Sequence, residues 1–397
     1  MTELPGTPLS RRALIGGALA IGSATALVPK IAFAQAAGDR NLLFVLLRGA
    51  MDGMAMLAPL GDPAYNAARA QALSDYEGAR KLDSLFTLHP AMQQIGKAYT
   101  RNEALFIHAT ATSYRDRSHF DGQDLLESGA AKPNTMRDGW LNRLVGLIGQ
   151  ADGSPLAVPP KALAISPTIP LALRGDAPAS NYAPSSLPEA SADFIERVSL
   201  LYKNDPELGE LWSSALETRA MAADDGLRNL RDAAKTGKLI ASLMRGETGA
   251  RISMVELSGW DTHANQRGNF RRSASALDTM LGAYQTAMGS AWDKTAVIVA
   301  TEFGRTVSYN GTRGTDHGTA SATMLMGGAV KGGRILGNWP GMAKANLYRG
   351  RDLMPTTSLE SIIAGATAQH FGLDPMAVQA RLFPERTSRP MEGLIRA

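Results

Sequence analysis

Acidic and imidazole side chains lie next to each other in two short loops of this 397-residue chain. Asp261 and His263 are two residues apart, and Asp316 is followed directly by His317 and a glycine. A carboxylate and an imidazole on one short loop can bind the same cation. An aspartate that only caps a turn would explain either pair alone, so the interpretation depends on the surrounding elements.

The candidate ligands follow continuous apolar runs that predict buried strands at residues 41–47, 251–257 and 296–300. An open α/β sheet binds its ligands at the carboxyl ends of its strands, where these side chains would meet. Oxygen and imidazole ligands without thiolate suit one or two divalent ions, such as Zn, Mn, Mg or Ca. The candidate metal ligands are Asp52, Asp261, His263, Glu302, Asp316 and His317.

Ser118 and His119 follow a fourth predicted strand at residues 104–109 and precede a predicted helix at residues 119–128. The Ser118 hydroxyl can act as a nucleophile that faces an anion at the helix N-terminus, or it can simply cap the helix. His119 is the alternative functional residue, as a further imidazole ligand. Arg305 and Arg313 can neutralise the oxygens of a transferred phosphoryl or sulfuryl group.

Predicted strands and helices alternate along the chain, which indicates an α/β fold with a mostly parallel sheet. A long predicted helix near residues 268–292 connects the strands at 251–257 and 296–300 as a crossover requires. Residues 35–397 are predicted to form a single domain, in which residues 151–245 are an insert or cap with much helix.

The N-terminal 34 residues have the pattern of a twin-arginine signal peptide. Arg11 and Arg12 precede an apolar run rich in Gly and Ala and an Ala-Phe-Ala cleavage site. An ordinary secretory signal or an uncleaved anchor is the alternative. The twin-arginine interpretation predicts the translocase as a partner during export, a periplasmic or extracellular protein, and no stable membrane span after cleavage.

Composition excludes several other classes of function. The chain has no cysteine, so disulfides, thiolate metal sites and cysteine nucleophiles are absent. Its net charge is only +4, and no cluster of basic and aromatic residues indicates nucleic-acid binding. Of the six histidines, His370 lies on a predicted amphipathic helix and is not expected to bind a metal.

Six motifs resemble a bacterial family of twin-arginine-exported proteins called domain of unknown function 1501. They are LLRGAMDG, YRDRSHFDGQD, GWLNRL, SGWDTHANQ, TEFGRT and GTDHGTA. The order of aspartate, helix-start hydroxyl, Asp-x-His and Asp-His-Gly also resembles the alkaline phosphatase and sulfatase superfamily. The resemblance implies an alkaline-phosphatase-like three-layer sandwich with helices on both faces of a mostly parallel sheet and a helical insert.

The superfamily resemblance also implies roles for individual residues. Asp52, Asp316 and His317 would bind one metal, Asp261 and His263 a second, and Ser118 would be the nucleophile. The chain departs from the pattern because the further histidine expected after Asp-His is missing. No serine has the sequence context of formylglycine, and cysteine is absent, so a formylglycine-dependent sulfatase is not expected.

Two functions follow from these features. The first is an exported, metal-dependent hydrolase whose substrate is a small anionic phosphate or sulfate ester. The second is a non-catalytic periplasmic or envelope protein that keeps a sulfatase-like fold and binds a partner. The retained acids and arginines favour the first, whereas the incomplete ligand set favours the second.

Overall fold

A central β-sheet dominates the part of the chain that the computed structural model describes. The described residues are 39–151, 162–185, 190–203, 205–222, 229–246 and 249–396. The predicted export signal at residues 1–34 lies outside them. Among the described helices, none has the length and apolar character needed to cross a membrane.

Nine strands form the central sheet within the described residues, and two short strands form a separate antiparallel pair. The strands are β1 (Asn41–Leu47), β2 (Leu57–Ala58), β3 (Thr87–Leu88), β4 (Ala104–Ala111), β5 (Ala162–Ile165), β6 (Ala179–Tyr182), β7 (Ile252–Leu257), β8 (Thr295–Ala300), β9 (Ser321–Met326), β10 (Arg334–Leu336) and β11 (Thr357–Ser358). The order in the central sheet is β10-β4-β9-β8-β1-β7-β5-β6, with β11 beside β4.

Helices connect most of these strands. They are α1 (Gly53–Met56), α2 (Pro63–Ala68), α3 (Gln93–Thr100), α4 (His119–Ser128), α5 (Trp140–Ala151), α6 (Ala192–Tyr202), α7 (Pro206–Met221), α8 (Ala233–Met244), α9 (Gln266–Met288), α10 (Leu359–Phe371) and α11 (Pro375–Leu382). The helix predicted near residues 268–292 is therefore α9, and a short 3₁₀ helix extends it to Lys294.

Apolar side chains cover both faces of the sheet, as the continuous apolar runs predict. Every residue of β1 is buried, and successive side chains of a strand point to opposite faces. Leu43, Val45 and Leu47 of β1 share a core cluster with α3, α8 and α9. The even-numbered residues of β1 share a second cluster with α5, α10 and α11. The predicted α/β class with helices on both faces is thus confirmed.

Strand direction decides which loops meet. β1 is parallel to both β7 and β8, so all three strands end at the same edge of the sheet. β9 lies antiparallel between β8 and β4, which makes β4 parallel to β8. The loops after β1, β4, β7 and β8 and the loop before β9 therefore lie at one edge.

Part of the region predicted to be an insert belongs to the central sheet and core. β5 and β6 extend the sheet beyond β7. The buried side chains of α8, including Leu239 and Ile240, join the core cluster that contains α9. Helices α6 and α7 pack on each other, and Trp212 donates a hydrogen bond to the Ser199 hydroxyl at 2.8 Å.

Three buried histidines are expected to make the fold less stable in acid. His370 is buried and donates from Nε2 to the Asn41 carbonyl at 3.0 Å. Burial lowers the pKa of His370 to about 3 and the pKa of His89 and of His108 to about 4. Between about pH 6.5 and 4 the unfolded chain therefore binds protons that the folded chain does not, and the free energy of unfolding decreases as the pH is lowered.

We expect each of these histidines to lower the free energy of unfolding by up to about 1.4 kcal/mol for each pH unit below about pH 6.5. Urea unfolding at several pH values down to about 4.5 measures the slope. His370→Gln cannot take up a proton, so its slope should be smaller than that of the wild type. An unchanged slope in this variant would show that His370 does not titrate on unfolding.

Candidate metal centre

Four side chains from three loops converge where the strands end. One ligand atom each of His119, Asp261 and His317 lies within 4.8 Å of the others. His263 joins them, because its Nε2 is 3.0 Å from Asp261 Oδ1 and 3.0 Å from His317 Nε2. Asp261 Oδ2 is 3.5 Å from His119 Nε2. These four residues are called the histidine–aspartate cluster below.

In each histidine of the cluster, the Nδ1 atom faces an oxygen atom of a residue outside the cluster. The acceptor for His119 is Glu302 Oε1 at 2.8 Å, and the acceptor for His317 is the Arg117 carbonyl at 2.9 Å. Asp316 Oδ1 faces Nδ1 of His263 at 3.4 Å. In His119 and His317 the nearest acceptor lies at Nδ1 and favours the Nδ1–H tautomer, so the lone pair of these two Nε2 atoms points into the cluster.

Metal-binding histidines usually have this arrangement, in which a carboxylate or carbonyl accepts the second N–H of the ring. The Nε2 atom of His119 is buried and has no hydrogen-bond partner within the described residues. A buried polar atom without a partner is rare in folded proteins and needs an explanation. A cation between the rings would accept its lone pair.

Glu302 lies behind His119 and is fully buried. Its Oε1 accepts from the Gly49 amide at 2.9 Å and from Gln123 at 3.0 Å, and its Oε2 accepts from Thr301 Oγ1 at 2.8 Å. Burial acts to raise the pKa of Glu302, but the hydrogen bonds with His119, Gln123 and the Gly49 amide outweigh it and lower the pKa. The same hydrogen bond raises the pKa of His119, which makes its imidazole more basic.

Arg305 holds Asp261 in place. Its buried guanidinium donates from Nη1 to Asp261 Oδ1 at 2.7 Å and from Nε to Thr315 Oγ1 at 2.9 Å. Burial acts to raise the pKa of Asp261, but the hydrogen bond from Arg305 outweighs it and lowers the pKa. Burial also lowers the pKa of His317. Asp261 is thus ionised and His317 neutral, which are the protonation states that bind metals.

Asp52, which the sequence predicts as a ligand, has its hydrogen-bond partners outside the cluster. Its Oδ1 caps α1 by accepting from the amides of Met54 and Ala55 at 3.1 and 3.2 Å. Its Oδ2 accepts from Arg69 at 2.5 Å and from Gln266 at 2.6 Å. All of its hydrogen bonds are therefore made to residues outside the cluster.

Gln266 connects this buried ion pair to the cluster. Its Oε1 accepts from Thr262 Oγ1 and, at 3.2 Å, from Thr315 Oγ1. Thr262 stands between Asp261 and His263, and Thr315 accepts from Arg305. The Asp52–Arg69 pair is thus linked by hydrogen bonds through Gln266 to the loops of the cluster.

The structure also describes the remaining predicted residues. Ser118 is the N-cap of α4, as one of the two predicted roles requires, with Oγ accepting from the Asp121 amide at 3.4 Å. Asp316 is exposed and faces His263. Arg313 lines a cavity, and within the described residues its side chain makes no hydrogen bond or salt bridge to the cluster.

Two supporting residues have no signal in the sequence. The Arg117 carbonyl that accepts from His317 is a main-chain group. The residue type at position 117 therefore does not indicate this role. Arg117 has a positive φ of 63°, and its guanidinium donates to the buried Asp352 at 2.6 Å. Arg69 is unremarkable in the sequence because its partner Asp52 is 17 residues away.

Close backbone packing brings the loops together. A Cβ at Gly314 would lie 2.0 Å from the His263 carbonyl, and one at Gly49 would lie 2.4 Å from the Asp261 amide nitrogen. Gly49 also has a φ of +115°, which other residues rarely adopt. Any side chain at these positions would push apart the loops that carry Asp261 and His263.

A family model described as "Protein of unknown function (DUF1501)" matches residues 39–382. The chain belongs to the DUF1501 family. All four residues of the histidine–aspartate cluster lie inside the matched range, as do Glu302 and Arg305. No curated protein sequence matches this DUF1501 protein.

Solved structures similar to this DUF1501 protein are of the alkaline phosphatase and sulfatase type. A phosphonate monoester hydrolase of Agrobacterium radiobacter has 11% identity and a TM-score of 0.33, covering 85% of this chain and 84% of its own. The alkaline phosphatase from the Antarctic bacterium TAB5 has 9% identity and a TM-score of 0.32, covering 72% and 91%.

A third similar structure is the C-terminal periplasmic domain of EcEptC from Escherichia coli in complex with Zn. It has 8% identity and a TM-score of 0.32, covering 72% of this chain and 73% of its own. Similarity at this level carries no argument about what the DUF1501 protein binds or does. The functional argument therefore rests on the chain's own residues.

Proposed function

We propose that this DUF1501 protein is a metal-dependent hydrolase of phosphate or sulfate esters. The observation that carries the proposal is the convergence of ligand atoms of His119, Asp261 and His317, with an acceptor at Nδ1 of both histidines and with His263 beside Asp261 and His317. A structural ion pair does not require two imidazole nitrogens and a carboxylate to converge, whereas a divalent cation binds such a set.

The donor set fits a borderline or hard divalent ion. Imidazole suits Zn and several transition metals, while carboxylate also suits Mn and Mg. When bound, such an ion supplies Lewis-acid activation of an ester oxygen and of water. Asp261 contributes the negative charge, and His119, His263 and His317 contribute imidazole nitrogens.

We assign supporting roles to Glu302, Asp316 and Asp52 instead of the ligand roles expected from the sequence. Glu302 and Asp316 face the Nδ1 side of His119 and His263, opposite the nitrogens that point into the cluster. Asp52 is neutralised by Arg69. With these residues behind the ligands, the proposal needs one metal ion and not two.

The start of α4 supplies a place for the anionic ester. His119 is the first residue of this helix, so the cluster lies at the positive end of the helix dipole. The Ser118 hydroxyl caps the helix, and we therefore assign the cap to Ser118 and the ligand role to His119. Arg305 acts through Asp261, because its guanidinium is buried behind that carboxylate.

Export remains part of the proposal. Arg11-Arg12, the apolar run and the Ala-Phe-Ala site support transport by the twin-arginine translocase into the periplasm or beyond. This route exports folded proteins, so the metal would be loaded before the chain leaves the cytoplasm. Mass spectrometry of the protein from a periplasmic fraction would locate the mature N-terminus, expected near Gln35.

Metal analysis and an ester screen test the proposed function. Protein purified without chelators should contain about one divalent ion per chain, since one cluster offers four ligands. It should hydrolyse a nitrophenyl phosphate or sulfate, lose this activity on chelation, and regain it when the metal returns. Metal without turnover of any ester would favour the non-catalytic binding protein, and absence of metal would contradict the proposed centre.

A further inference from the structure

A polar cavity of about 520 Å³ is lined by Asn265 and Arg313, which lie two residues after His263 and three before Asp316 in the chain. Its volume is within the range of ligand-binding pockets, about 300–1,000 Å³. Three arginines and one aspartate give its wall an excess of positive charge. The lining residues are Gln71, Asp75, Asn265, Arg267, Gly268, Arg271, Tyr309 and Arg313.

Only one of the three arginines is neutralised. Arg267 donates from Nε to Asp75 Oδ2 at 2.6 Å, and a second hydrogen bond from its Nη2 to Oδ1 completes a bidentate pair. Across the described residues, neither Arg271 nor Arg313 makes a side-chain hydrogen bond or salt bridge. Two exposed arginines of the lining thus have free donors, and guanidinium binds the oxygens of phosphate and sulfate in pairs.

The wall of the cavity is continuous with the loop of the metal centre. Thr312 Oγ1 and Asn310 Nδ2 both donate to the His263 carbonyl, at 2.6 and 2.9 Å. Arg313 is fixed next to them with a φ of +58°, and its carbonyl accepts from the Gln266 amide at 2.9 Å. A ligand at the cluster and a ligand in the cavity would therefore be neighbours.

The first turn of α9 adds backbone donors to this wall. Asn265 is its N-cap but makes no side-chain hydrogen bond to the helix. The amides of Arg267 and Gly268 belong to this first turn, which has no intrahelical acceptors. Together with the two free guanidinium groups, they offer an anion several donors and the positive end of a 23-residue helix.

We propose that this cavity binds a second tetrahedral oxyanion, a phosphate or sulfate group, of the same substrate whose ester bond lies at the cluster. That the bound oxyanion is part of a substrate rests on the proposed hydrolase function. That the cavity binds an oxyanion at all is independent of this function, because none of the lining residues is a ligand of the cluster. The substrate class is therefore esters that carry at least two anionic groups.

Calorimetric titration of inorganic phosphate into the chelator-treated full chain tests the cavity alone. Arg271→Gln and Arg313→Gln should each weaken binding about tenfold, because each removes a charge-assisted donor. Arg272→Gln is the matched control: it removes the same charge from the next residue of α9, which does not line the cavity. Equal affinity in Arg271→Gln and Arg272→Gln, or phosphate binding only after metal is restored, would overturn the proposal.

A kinetic comparison with the metal-loaded protein tests whether the anion belongs to the substrate. Arg271→Gln should raise KM for a doubly phosphorylated ester about tenfold and leave KM for a nitrophenyl monoester unchanged. Equal KM changes for both esters would overturn the assignment to the substrate. If no ester is hydrolysed at all, the proposed hydrolase fails, while the phosphate titration still decides whether the cavity binds an oxyanion.

Discussion

Asp261→Asn should empty the candidate metal centre and abolish ester hydrolysis. Asparagine keeps the size of the side chain but removes the negative charge that lies within 3.5 Å of all three histidines and pairs with Arg305. Loss of a group that hydrogen-bonds a metal ligand lowers metal affinity about 10–100-fold. We expect the Asp261→Asn substitution, which changes a ligand itself, to lower metal affinity by more than that. Elemental analysis after dialysis against metal-free buffer, together with the ester assay, measures both effects.

The matched control for this variant is Asp293→Asn. Asp293 is an exposed aspartate in the 3₁₀ helix before β8, at the opposite edge of the sheet. It should keep the metal content and activity of the wild type. If Asp261→Asn retains as much metal as Asp293→Asn, the cluster is not the metal centre, whatever its effect on turnover.

Asp52→Ala should destabilise the fold by about 3–5 kcal/mol without emptying the metal centre. The side chains of Asp52 and Arg69 have no exposed area, so the substitution leaves a buried guanidinium without its carboxylate. It also removes the cap of α1, which adds about 1 kcal/mol. Urea unfolding measures the loss, and metal analysis of the folded variant tests whether the cluster keeps its ion.

Two comparisons separate the ion pair from a ligand role of Asp52. The double variant Asp52→Ala/Arg69→Met removes the unpaired charge as well and should recover much of the lost stability. Asp75→Ala breaks the partly exposed pair with Arg267 and should cost no more than about 1 kcal/mol. Metal loss in Asp52→Ala with little loss of stability would instead make Asp52 a ligand.

The sequence by itself determined the layers and the location of the site. The apolar runs predicted the core strands, and Ser118 and the residues that follow it predicted α4, because caps and periodicity act over a few residues. The Asp-x-His and Asp-His pairs indicated that Asp261, His263 and Asp316-His317 belong to one edge. Family membership also follows from the sequence, through motifs that occur along its length.

Only the tertiary structure decided which of these residues face each other. β9 is antiparallel, which returns His317 to the edge where β7 delivers Asp261; strand direction depends on pairing across the sheet and leaves no local signal. Arg69 forms a buried ion pair with Asp52, and Glu302 contacts Nδ1 of His119, 183 residues away in the chain. Such partners are selected by burial, because a charge inside the fold must find an opposite charge or several donors, wherever in the chain they occur.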